Sequence, residues 1–393
     1  MHVLESYALQ DNLKIDKPSI YEKYFPMAVE GRYITLDVSS DDESNKYSHW
    51  DMVIDYMSPY LKEKNITVVQ LGSKDDKQIA GCYIAVGQTD NNQKAYVIKN
   101  SALHITTNNL SLQLASSYDK KIVTLFSNSF YEQFKPYWSK SEDVTVLTAN
   151  IGKPTFNGDE QPKTIDNIRP EKIAECILHN LGKPHSFAFK TLKVGSLYKS
   201  RRIESSLSNP ISEIDKLGIE TLIVRADYQF NLDSLRKQLD ICPCSIVTDK
   251  PIPEDIIDKN KHRIPELIYF LDDSHDPSFV FSCIQKGINI ALASKKTEEE
   301  VSKYKIDYLD IERNINIVPK VKLEDIEELR FIKTNKIFYK SNKFLFHGGK
   351  AFPSKMAVAA DQSVSSFDHA FMQIFDHEDF WEEKDHFHLV ERK

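Results

Sequence analysis

The first 185 residues alternate between two hydrophobic patterns. Short apolar runs typical of buried strands are separated by segments in which apolar side chains recur every three or four residues, as on one helix face. The predicted strands are 33–38, Ile66–Leu71, 83–86, 104–106 and 121–126. The predicted helices are 50–64, 93–100 and 170–182, with a further short helix between the last two strands. Strands alternating with helices predict a parallel sheet with right-handed crossovers.

A second series of the same kind is predicted after residue 186. Its strands are 188–194, Thr221–Arg225, 244–248, 267–271 and 288–293, and its helices are 211–217, 232–239 and 277–286. The expected fold class is therefore α/β, with two Rossmann-like domains at residues 1–185 and 186–332.

The pattern changes beyond residue 333. Residues 336–346 predict a β-hairpin that turns at Ser341-Asn342. The acidic and aromatic segment 375–389 predicts a helix that packs on a domain surface. The aromatic side chains expected to pack there are Phe380, Trp381 and Phe387. Residues 333–393 are therefore expected to form a small C-terminal extension.

Composition narrows the class of protein. With 41% hydrophobic and 28% charged residues, the 393-residue chain is typical of globular proteins. Its net charge of −7 argues against a broad nucleic-acid-binding surface. No apolar run approaches the roughly 18 residues that cross a bilayer, and the first residues lack a signal-peptide pattern. Five cysteines are too few for a disulfide framework. We therefore expect a cytoplasmic protein with no membrane span.

Four polar residues directly follow one predicted strand: Thr106, Thr107, Asn108 and Asn109. Ligands of open α/β sheets bind beyond the carboxyl ends of the strands. The helix that follows this loop offers free N–H groups and the positive end of its dipole, which favour phosphate. The loop is therefore predicted to bind a nucleotide or a sugar phosphate.

Several short motifs occur in order along residues 1–182. They are Asp37-Val-Ser-Ser40 with Lys46 and Trp50, Val69-Gln-Leu-Gly-Ser-Lys-Asp75, Gly87-Gln-Thr89 and the loop before Leu114-Ala115, followed by the strand Ile122–Phe126 and the helix after Pro170. In this order they resemble the nucleotide-sugar-binding half of the ADP-heptose:lipopolysaccharide heptosyltransferases, which form glycosyltransferase family 9 and have the GT-B fold.

The resemblance implies a glycosyltransferase that uses a nucleotide-sugar as co-substrate, with no other cofactor and no metal. It transfers the sugar to an acceptor hydroxyl in a cleft between two domains. The acceptor implied is a glycan or another saccharide, and a modified DNA base is less favoured because it needs a basic groove. In family 9 the donor half is C-terminal, so the domain order here is expected to be permuted.

The donor-binding residues implied by the resemblance supply hydroxyls, amides, backbone N–H groups and one cation. They are Ser39, Ser40, Lys46, Gly72, Ser73, Thr107, Asn108, Asn109 and Gln113. In register on Leu114-Ala115, Asn108 replaces an aspartate of the family and Gln113 replaces a histidine. Both amides can hydrogen-bond to ribose or phosphate oxygens, but neither supplies the same charge or proton chemistry.

An inverting transfer also needs a general base for the acceptor hydroxyl. The candidates follow predicted strands of the second domain and are Asp272, Asp273, His275 and Asp227. Basic residues after the first predicted strand of that domain are candidates for binding an anionic acceptor or a phosphate. They are Lys199, Arg201 and Arg202. Each of these residues also has a structural alternative as a helix cap, a turn residue or a solvated surface charge.

Two other classes of protein stay open at this point. The replacements at Asn108 and Gln113 favour a non-catalytic binding or scaffold protein on a degenerate GT-B fold. A sugar-phosphate enzyme of the epimerase type would share the layered fold. However, no Gly-x-Gly-x-x-Gly follows a strand, so a dinucleotide cofactor is not expected.

Overall fold

The computed structural model describes residues 1–149, 152–198, 202–208, 210–211, 221–271, 276–305, 308, 315–318, 326, 336–365 and 371–393. The chain divides into two compact units, Met1–Lys190 and Thr191–Lys393, which we call unit 1 and unit 2. Each unit contains a largely parallel sheet with helices between its strands, so the predicted α/β class is confirmed. The predicted C-terminal extension, 333–393, falls within the limits of unit 2.

Unit 1 is a single parallel sheet covered by helices. Its strands are β1 Arg32–Asp37, β2 Ile66–Leu71, β3 Tyr83–Ile84, β4 His104–Thr107, β5 Ile122–Phe126 and β6 Val144–Thr148. Its helices are α1 Val3–Asp11, α2 Trp50–Glu63, α3 Asn91–Asn100, α4 Leu110–Ser117, α5 Tyr131–Phe134 and α6 Pro170–Asn180, with short 3-10 helices at Glu43–Asn45, Ser141–Asp143 and Thr164–Asn167. The strands lie in the order β3-β2-β1-β4-β5-β6, and every neighbouring pair is parallel.

Two hydrophobic cores flank this sheet because neighbouring residues of a strand point to opposite faces. Ile34 and Leu36 of β1 pack in the core that includes residues of α2 and α6. The other core contains residues of α3 and α4. Thr35 and Asp37 alternate with Ile34 and Leu36, so these polar residues point toward the α3 and α4 side. This alternation places polar groups inside a helix-covered face.

Unit 2 contains twelve of the strands that the structure describes. They are β7 Phe189–Val194, β8 Arg202–Ser205, β9 Thr221–Arg225, β10 Ser245–Thr248, β11 Leu267–Phe270, β12 Ile290–Ser294, β13 Ile315–Ile317, β14 Ile337–Ser341, β15 Lys343–His347, β16 Lys350–Phe352, β17 Met372–Gln373 and β18 Phe387–Arg392. Its helices are α7 Leu232–Ile241, α8 Glu254–Asn260, α9 Pro277–Gln285, α10 Glu298–Lys305, α11 Lys355–Ala359 and α12 Glu378–Trp381, with 3-10 helices at Lys261–Arg263 and Lys384–His386. Two sheets form, in the orders β13-β12-β11-β10-β9-β8-β15-β16 and β17-β14-β18-β7.

The first strand of the parallel sheet in unit 2 differs from the prediction. Residues 188–194 were expected to begin the parallel series, but β7 lies in the small sheet beside β18. The parallel series begins at β8, which pairs with β9 and with β15. Arg202 is consequently the first residue of a strand and not part of a loop after one. Most of the predicted helix 211–217 lies outside the described residues.

The predicted hairpin at 336–346 is wrong. β14 pairs antiparallel with β17 and β18, whereas β15 pairs parallel with β8 in the other sheet. Asn342 alone separates the two strands, and the tightest common hairpin needs two loop residues. Short hydrogen bonds between Ser341 and Lys343 stabilise this crossing, with the Lys343 N–H donating to Ser341 Oγ over 3.0 Å. The chain therefore changes sheet at this point.

The acidic and aromatic segment is more deeply integrated than predicted. Its helix is limited to α12, and the residues beyond it form the strand β18. Phe380, Trp381 and Phe387 are fully buried and share a core with Tyr339 and Leu389. These aromatic rings therefore belong to a small core beside the small sheet, separate from the larger core of the parallel sheet, and they do not cover an outer surface.

Candidate functional site

A pocket of about 310 Å³ opens at the carboxyl ends of β1 and β4 in unit 1. It is lined by Asp37, Ser39, Ser40, Asp41, Asp42, Ser73, Asn91, Lys94, Asn108, Asn109, Leu110, Ser111 and Leu114. This is the edge of an open α/β sheet at which ligands bind. Of the predicted donor-binding residues, the structure brings together Ser39, Ser40, Ser73, Asn108 and Asn109 here.

The amino end of α4 forms one wall of the pocket and is fixed by Asn109. The side-chain oxygen of Asn109 accepts hydrogen bonds from the Leu112 N–H at 3.3 Å and from Ser111 Oγ at 2.7 Å. Its side-chain nitrogen donates to the carbonyl of Ser39 over 2.8 Å. An Asn N-cap leaves earlier N–H groups of the helix free for other acceptors. The predicted loop is therefore a helix cap that is also tied to the loop after β1.

Lys94 and Asp37 are pocket residues that sequence reasoning did not select. Lys94 Nζ lies 3.5 Å from Asp37 Oδ2, and their side chains are 14% and 2% exposed. The other oxygen of Asp37 accepts the Ser39 N–H over 3.0 Å. A carboxylate at the end of an otherwise apolar strand signals such a pair, because a buried charge needs a partner. Lys94 is consequently the cation of the pocket lining.

Asp76 occupies hydrogen-bond donors that a phosphate could use. Its Oδ2 accepts from the Ser73 N–H at 2.6 Å and from Ser39 Oγ at 2.5 Å. A Cβ atom on Gly72 would lie 2.9 Å from the same oxygen, so glycine permits this close approach. Gly72 itself is not among the residues lining the pocket. The loop after β2 is thus already bound to a carboxylate of its own chain.

Three of the predicted donor-binding residues lie away from the pocket. Lys46 Nζ pairs with Glu43 Oε1 at 2.5 Å, and this hydrogen bond raises the pKa of Lys46. Thr107 is fully buried, and its hydroxyl has no hydrogen-bond partner among the described residues. Gln113 donates to the carbonyls of Phe134 and Lys135 at 3.1 and 3.2 Å. The Gln113 amide therefore supports the end of α5 and the segment after it, and Gln113 is not among the residues that line the pocket.

A buried row of polar side chains leads from the sheet to the pocket, and we call it the polar row. Its members are Thr35, Asp37, His104, Thr106 and Thr124, which are paired across β1, β4 and β5. His104 lies in this row with no exposed surface. Burial, with a smaller contribution from the charge of Lys94, lowers the pKa of His104 to about 3. The imidazole is therefore neutral at physiological pH.

Asp227 of unit 2 belongs to a buried chain of charges that we call the Lys343 network. Arg225 donates to both oxygens of Asp227 at 2.8 and 2.6 Å and to Glu204 at 2.9 Å. Lys343 Nζ lies 3.2 Å from Glu204 Oε1 and 2.6 Å from Glu383 Oε1. Both carboxylate oxygens of Asp227 are therefore already engaged by the guanidinium of Arg225. The structure thus places Asp227 in a stabilising network rather than in a position to act as a base.

The remaining predicted residues of unit 2 have different outcomes. Asp272, Asp273 and His275 lie outside the described residues, as do Lys199 and Arg201. Arg202 begins β8, where its backbone N–H donates to the carbonyl of Asn342 over 3.0 Å. The amino end of a parallel strand is opposite to the edge at which ligands bind, so the position of Arg202 does not favour phosphate binding.

The described part of the chain offers neither a membrane-spanning helix nor a cluster of metal ligands. None of the helices there is both long and apolar enough to cross a membrane. In the same residues, no group of three or more His, Cys, Asp or Glu side chains is arranged to hold a metal ion.

Comparison with known proteins gives matches among solved structures. No protein-family model and no curated protein matches the chain. A family 9 glycosyltransferase from Veillonella parvula is 18% identical, with a TM-score of 0.32, over 39% of this chain and 47% of that one. Escherichia coli ADP-heptose lipopolysaccharide heptosyltransferase II is 20% identical, with a TM-score of 0.31, over 45% of this chain and 50% of that one. The E. coli heptosyltransferase WaaC with ADP is 12% identical, with a TM-score of 0.30, over 39% and 46%.

The chain spans about half the length of each of these glycosyltransferases. The first of these neighbours is a member of family 9, and the other two are heptosyltransferases. A likeness at this level of identity concerns the fold, and it gives this chain neither a donor nor an acceptor.

Proposed function

We propose that unit 1 binds a nucleotide-sugar in the pocket and that the chain is a glycosyltransferase that transfers the sugar to an acceptor hydroxyl. The observation that carries this proposal is the convergence of the amino end of α4, Lys94 and several serine and asparagine side chains at the carboxyl edge of a parallel sheet. The volume of about 310 Å³ is at the lower end of the range for small-molecule pockets.

Each part of the lining matches one part of such a donor. The N–H groups at the start of α4 and the ammonium of Lys94 would stabilise the diphosphate leaving group. Leu110 and Leu114 offer apolar surface for a base, and Leu110 is 56% exposed. The exposed carboxylates of Asp41 and Asp42 would accept hydrogen bonds from ribose or sugar hydroxyls. In this proposal the donor is a co-substrate and no other cofactor is needed.

The acceptor side of the proposal rests on the sequence. A saccharide hydroxyl is the proposed acceptor, and Asp272, Asp273 or His275 is the proposed general base. Asp227 is not proposed as the general base, because its carboxylate is paired with Arg225.

The first test is a titration of the protein with ADP, UDP, GDP and CMP and their sugar conjugates, followed by thermal shift and calorimetry. We expect one nucleotide series to raise the melting temperature, because it binds the native state alone. Replacing Lys94 by Met should weaken that nucleotide at least tenfold, or by about 1.4 kcal/mol. Lys46→Met is the matched control, since Lys46 pairs with Glu43 outside the pocket and should leave affinity unchanged. Failure of every series to bind would refute the proposal.

A non-catalytic binding protein on the same fold is the second candidate, and Asp76 favours it. The Asp76 carboxylate fills the donors of Ser73 and Ser39, and three aspartates line the pocket against one lysine. An anionic ligand must therefore compete with charges of the protein itself.

Asp76→Ala separates the two candidates. It frees the Ser39 hydroxyl and leaves the Ser73 N–H with Ser39 Oγ as its one remaining acceptor at 2.8 Å. A phosphate-bearing nucleotide should therefore bind about tenfold more tightly, a gain of about one charge-assisted hydrogen bond. Asp75→Ala removes the same charge from the exposed neighbouring position without freeing these donors and should change affinity much less. Equal gains in both variants would mean that net charge alone is responsible. No binding by either variant would favour the non-catalytic protein.

A further inference from the structure

A continuous path of hydrogen bonds leads from Thr35 and His104 of the polar row to the pocket. Thr35 Oγ1 lies 2.9 Å from His104 Nδ1, and His104 Nε2 lies 2.9 Å from Ser111 Oγ. Ser111 Oγ lies 2.7 Å from the side-chain oxygen of Asn109. The side-chain nitrogen of Asn109 donates to the Ser39 carbonyl. Ser111 and Asn109 both line the pocket.

The directions of these hydrogen bonds can be assigned outward from Asn109 along the shortest contact of each hydroxyl group. Because Asn109 Nδ2 donates to a carbonyl, its amide oxygen is the atom that faces Ser111, and a carbonyl oxygen only accepts. Thr106 Oγ1 lies 3.1 Å from Ser111 Oγ and donates to the same Asn109 oxygen over 2.9 Å. We assign the single hydroxyl hydrogen of Ser111 to Asn109, its shortest contact at 2.7 Å, and Ser111 Oγ then accepts from His104 Nε2. A neutral imidazole carries one N–H, which leaves His104 Nδ1 to accept from the Thr35 hydroxyl.

We propose that His104 is a positioning residue, which acts as the Nε2–H tautomer and sets the orientation of Ser111 and Asn109 at the head of α4. Asn109 Nδ2 has two hydrogens, and in the described part of the chain one of them is used by Ser39. The second is then available to an acceptor oxygen of a ligand in the pocket. The consequence for ligand affinity rests on the proposed nucleotide-binding function, whereas the consequence for tautomer and orientation does not.

The surroundings of His104 favour this role over simple packing. The imidazole lies beside a core that contains Leu112, Ala115 and Ile122, where an apolar side chain would pack equally well. Buried polar groups in such a place are costly unless each is satisfied. Both ring nitrogens of His104 have partners at 2.9 Å, so the residue is fully satisfied in one tautomer. Its neutral state also avoids placing a second positive charge near Lys94.

The tautomer is tested directly by nuclear magnetic resonance of protein labelled with ¹⁵N at histidine and asparagine. His104 should show a protonated Nε2 and an unprotonated Nδ1 and should not titrate between pH 8 and about 5. Its signal is assigned by its loss in His104→Gln. A protonated Nδ1, or a titration in this range, would overturn the proposal without any ligand being present.

Two variants test the positioning. His104→Phe keeps a ring but removes the donor to Ser111, whereas His104→Gln keeps an N–H donor of similar reach. The side-chain amide hydrogens of Asn109 should exchange slowly in the wild type and in His104→Gln, and at least tenfold faster in His104→Phe. Equal exchange in the two variants, when both are folded by circular dichroism, would assign His104 a packing role alone.

The same variants extend the test to ligands. The nucleotide that binds the wild type best should bind His104→Gln within about threefold and His104→Phe at least tenfold more weakly. If the wild type binds none of the nucleotides, the proposed function fails, while the tautomer and the Asn109 exchange rates still decide the role of His104. Equal affinity of all three proteins would overturn the link between His104 and the ligand.

Discussion

Replacing Lys343 by methionine should lower the free energy of unfolding of unit 2 by about 3–5 kcal/mol, the cost of leaving buried charges without a partner. Lys343 contacts Glu204 and Glu383, and the side chains of all three are less than a tenth exposed. Methionine fills a similar volume but removes the positive charge. The two carboxylates would then face each other in the interior with Arg225 alone to compensate.

The protonation of Glu204 supports this expectation. Burial by itself raises the pKa of its carboxyl, but Lys343 and Arg225 outweigh burial and lower the pKa overall. The stabilising contribution of this carboxylate is consequently present above its unfolded pKa and is lost as the pH falls through its folded pKa. In Lys343→Met, Arg225 is the one of these two cations that remains to lower the pKa of Glu204. The variant should therefore also unfold at a higher pH than the wild type during acid titration.

Lys350→Met is the matched control for Lys343→Met. Lys350 pairs with Asp361 at 3.1 Å, but the two side chains are 55% and 77% exposed. An exposed ion pair contributes at most about 1 kcal/mol. Both variants are compared with the wild type by denaturant-dependent hydrogen exchange in peptides from β14 and β15. A loss below about 1 kcal/mol in Lys343→Met would show that the carboxylates become protonated or hydrated without cost.

The parts of the fold that could be predicted are those with a strong local pattern. β2 and β9 are short strands rich in Val, Ile, Leu and Thr, and their predicted bounds match the structure. The helix that begins at Pro170 is marked by its first residue and by Gly182 beyond its end. Such signals lie within a few residues of the element that they specify.

The parts that were missed depend on partners distant in sequence. β14 and β15 follow each other closely in sequence, as the two strands of a hairpin do. Their partners are β18 and β8, respectively, and a local pattern does not reveal this pairing. β6 is a half-exposed edge strand that the prediction missed, although Val-Thr-Val-Leu-Thr has the β-branched composition of a strand. The same limit explains the Lys343 network, whose charged residues come from separate segments between residues 204 and 383.

The candidate site shows the same division. Asn108 and Asn109 were predictable because a strand end and a helix start meet there in the sequence. Gln113 was assigned by register on Leu114-Ala115, but its side chain points to the segment after α5, which the register does not reveal. Lys94 and Asp76 act through contacts with β1 and its loop, which are 57 and 37 residues away from them in sequence.

Acidification below pH 6.5 should destabilise unit 1 through His104 by about 1.4 kcal/mol per pH unit. The native state holds this imidazole neutral, and burial lowers its pKa to about 3. In the unfolded chain the same group takes up a proton near its ordinary pKa of 6.5. The unfolded state therefore binds more protons between these two values, so stability is complete above pH 6.5 and falls as the pH falls toward 3.

His104→Gln isolates this contribution because glutamine does not titrate. Between pH 6.5 and 4.5 the wild type should lose roughly 2–3 kcal/mol more than the variant, measured by denaturant-dependent hydrogen exchange in peptides from β4 and β5. His179→Gln, which changes an exposed histidine on α6 of the same unit, should keep the wild-type dependence on pH. Parallel stability curves for the wild type and His104→Gln would mean that His104 is protonated in the folded protein. The hydrogen bonds from Thr35 through His104 and Ser111 to Asn109 would then no longer all have the assigned direction, because a charged imidazole donates from both nitrogens.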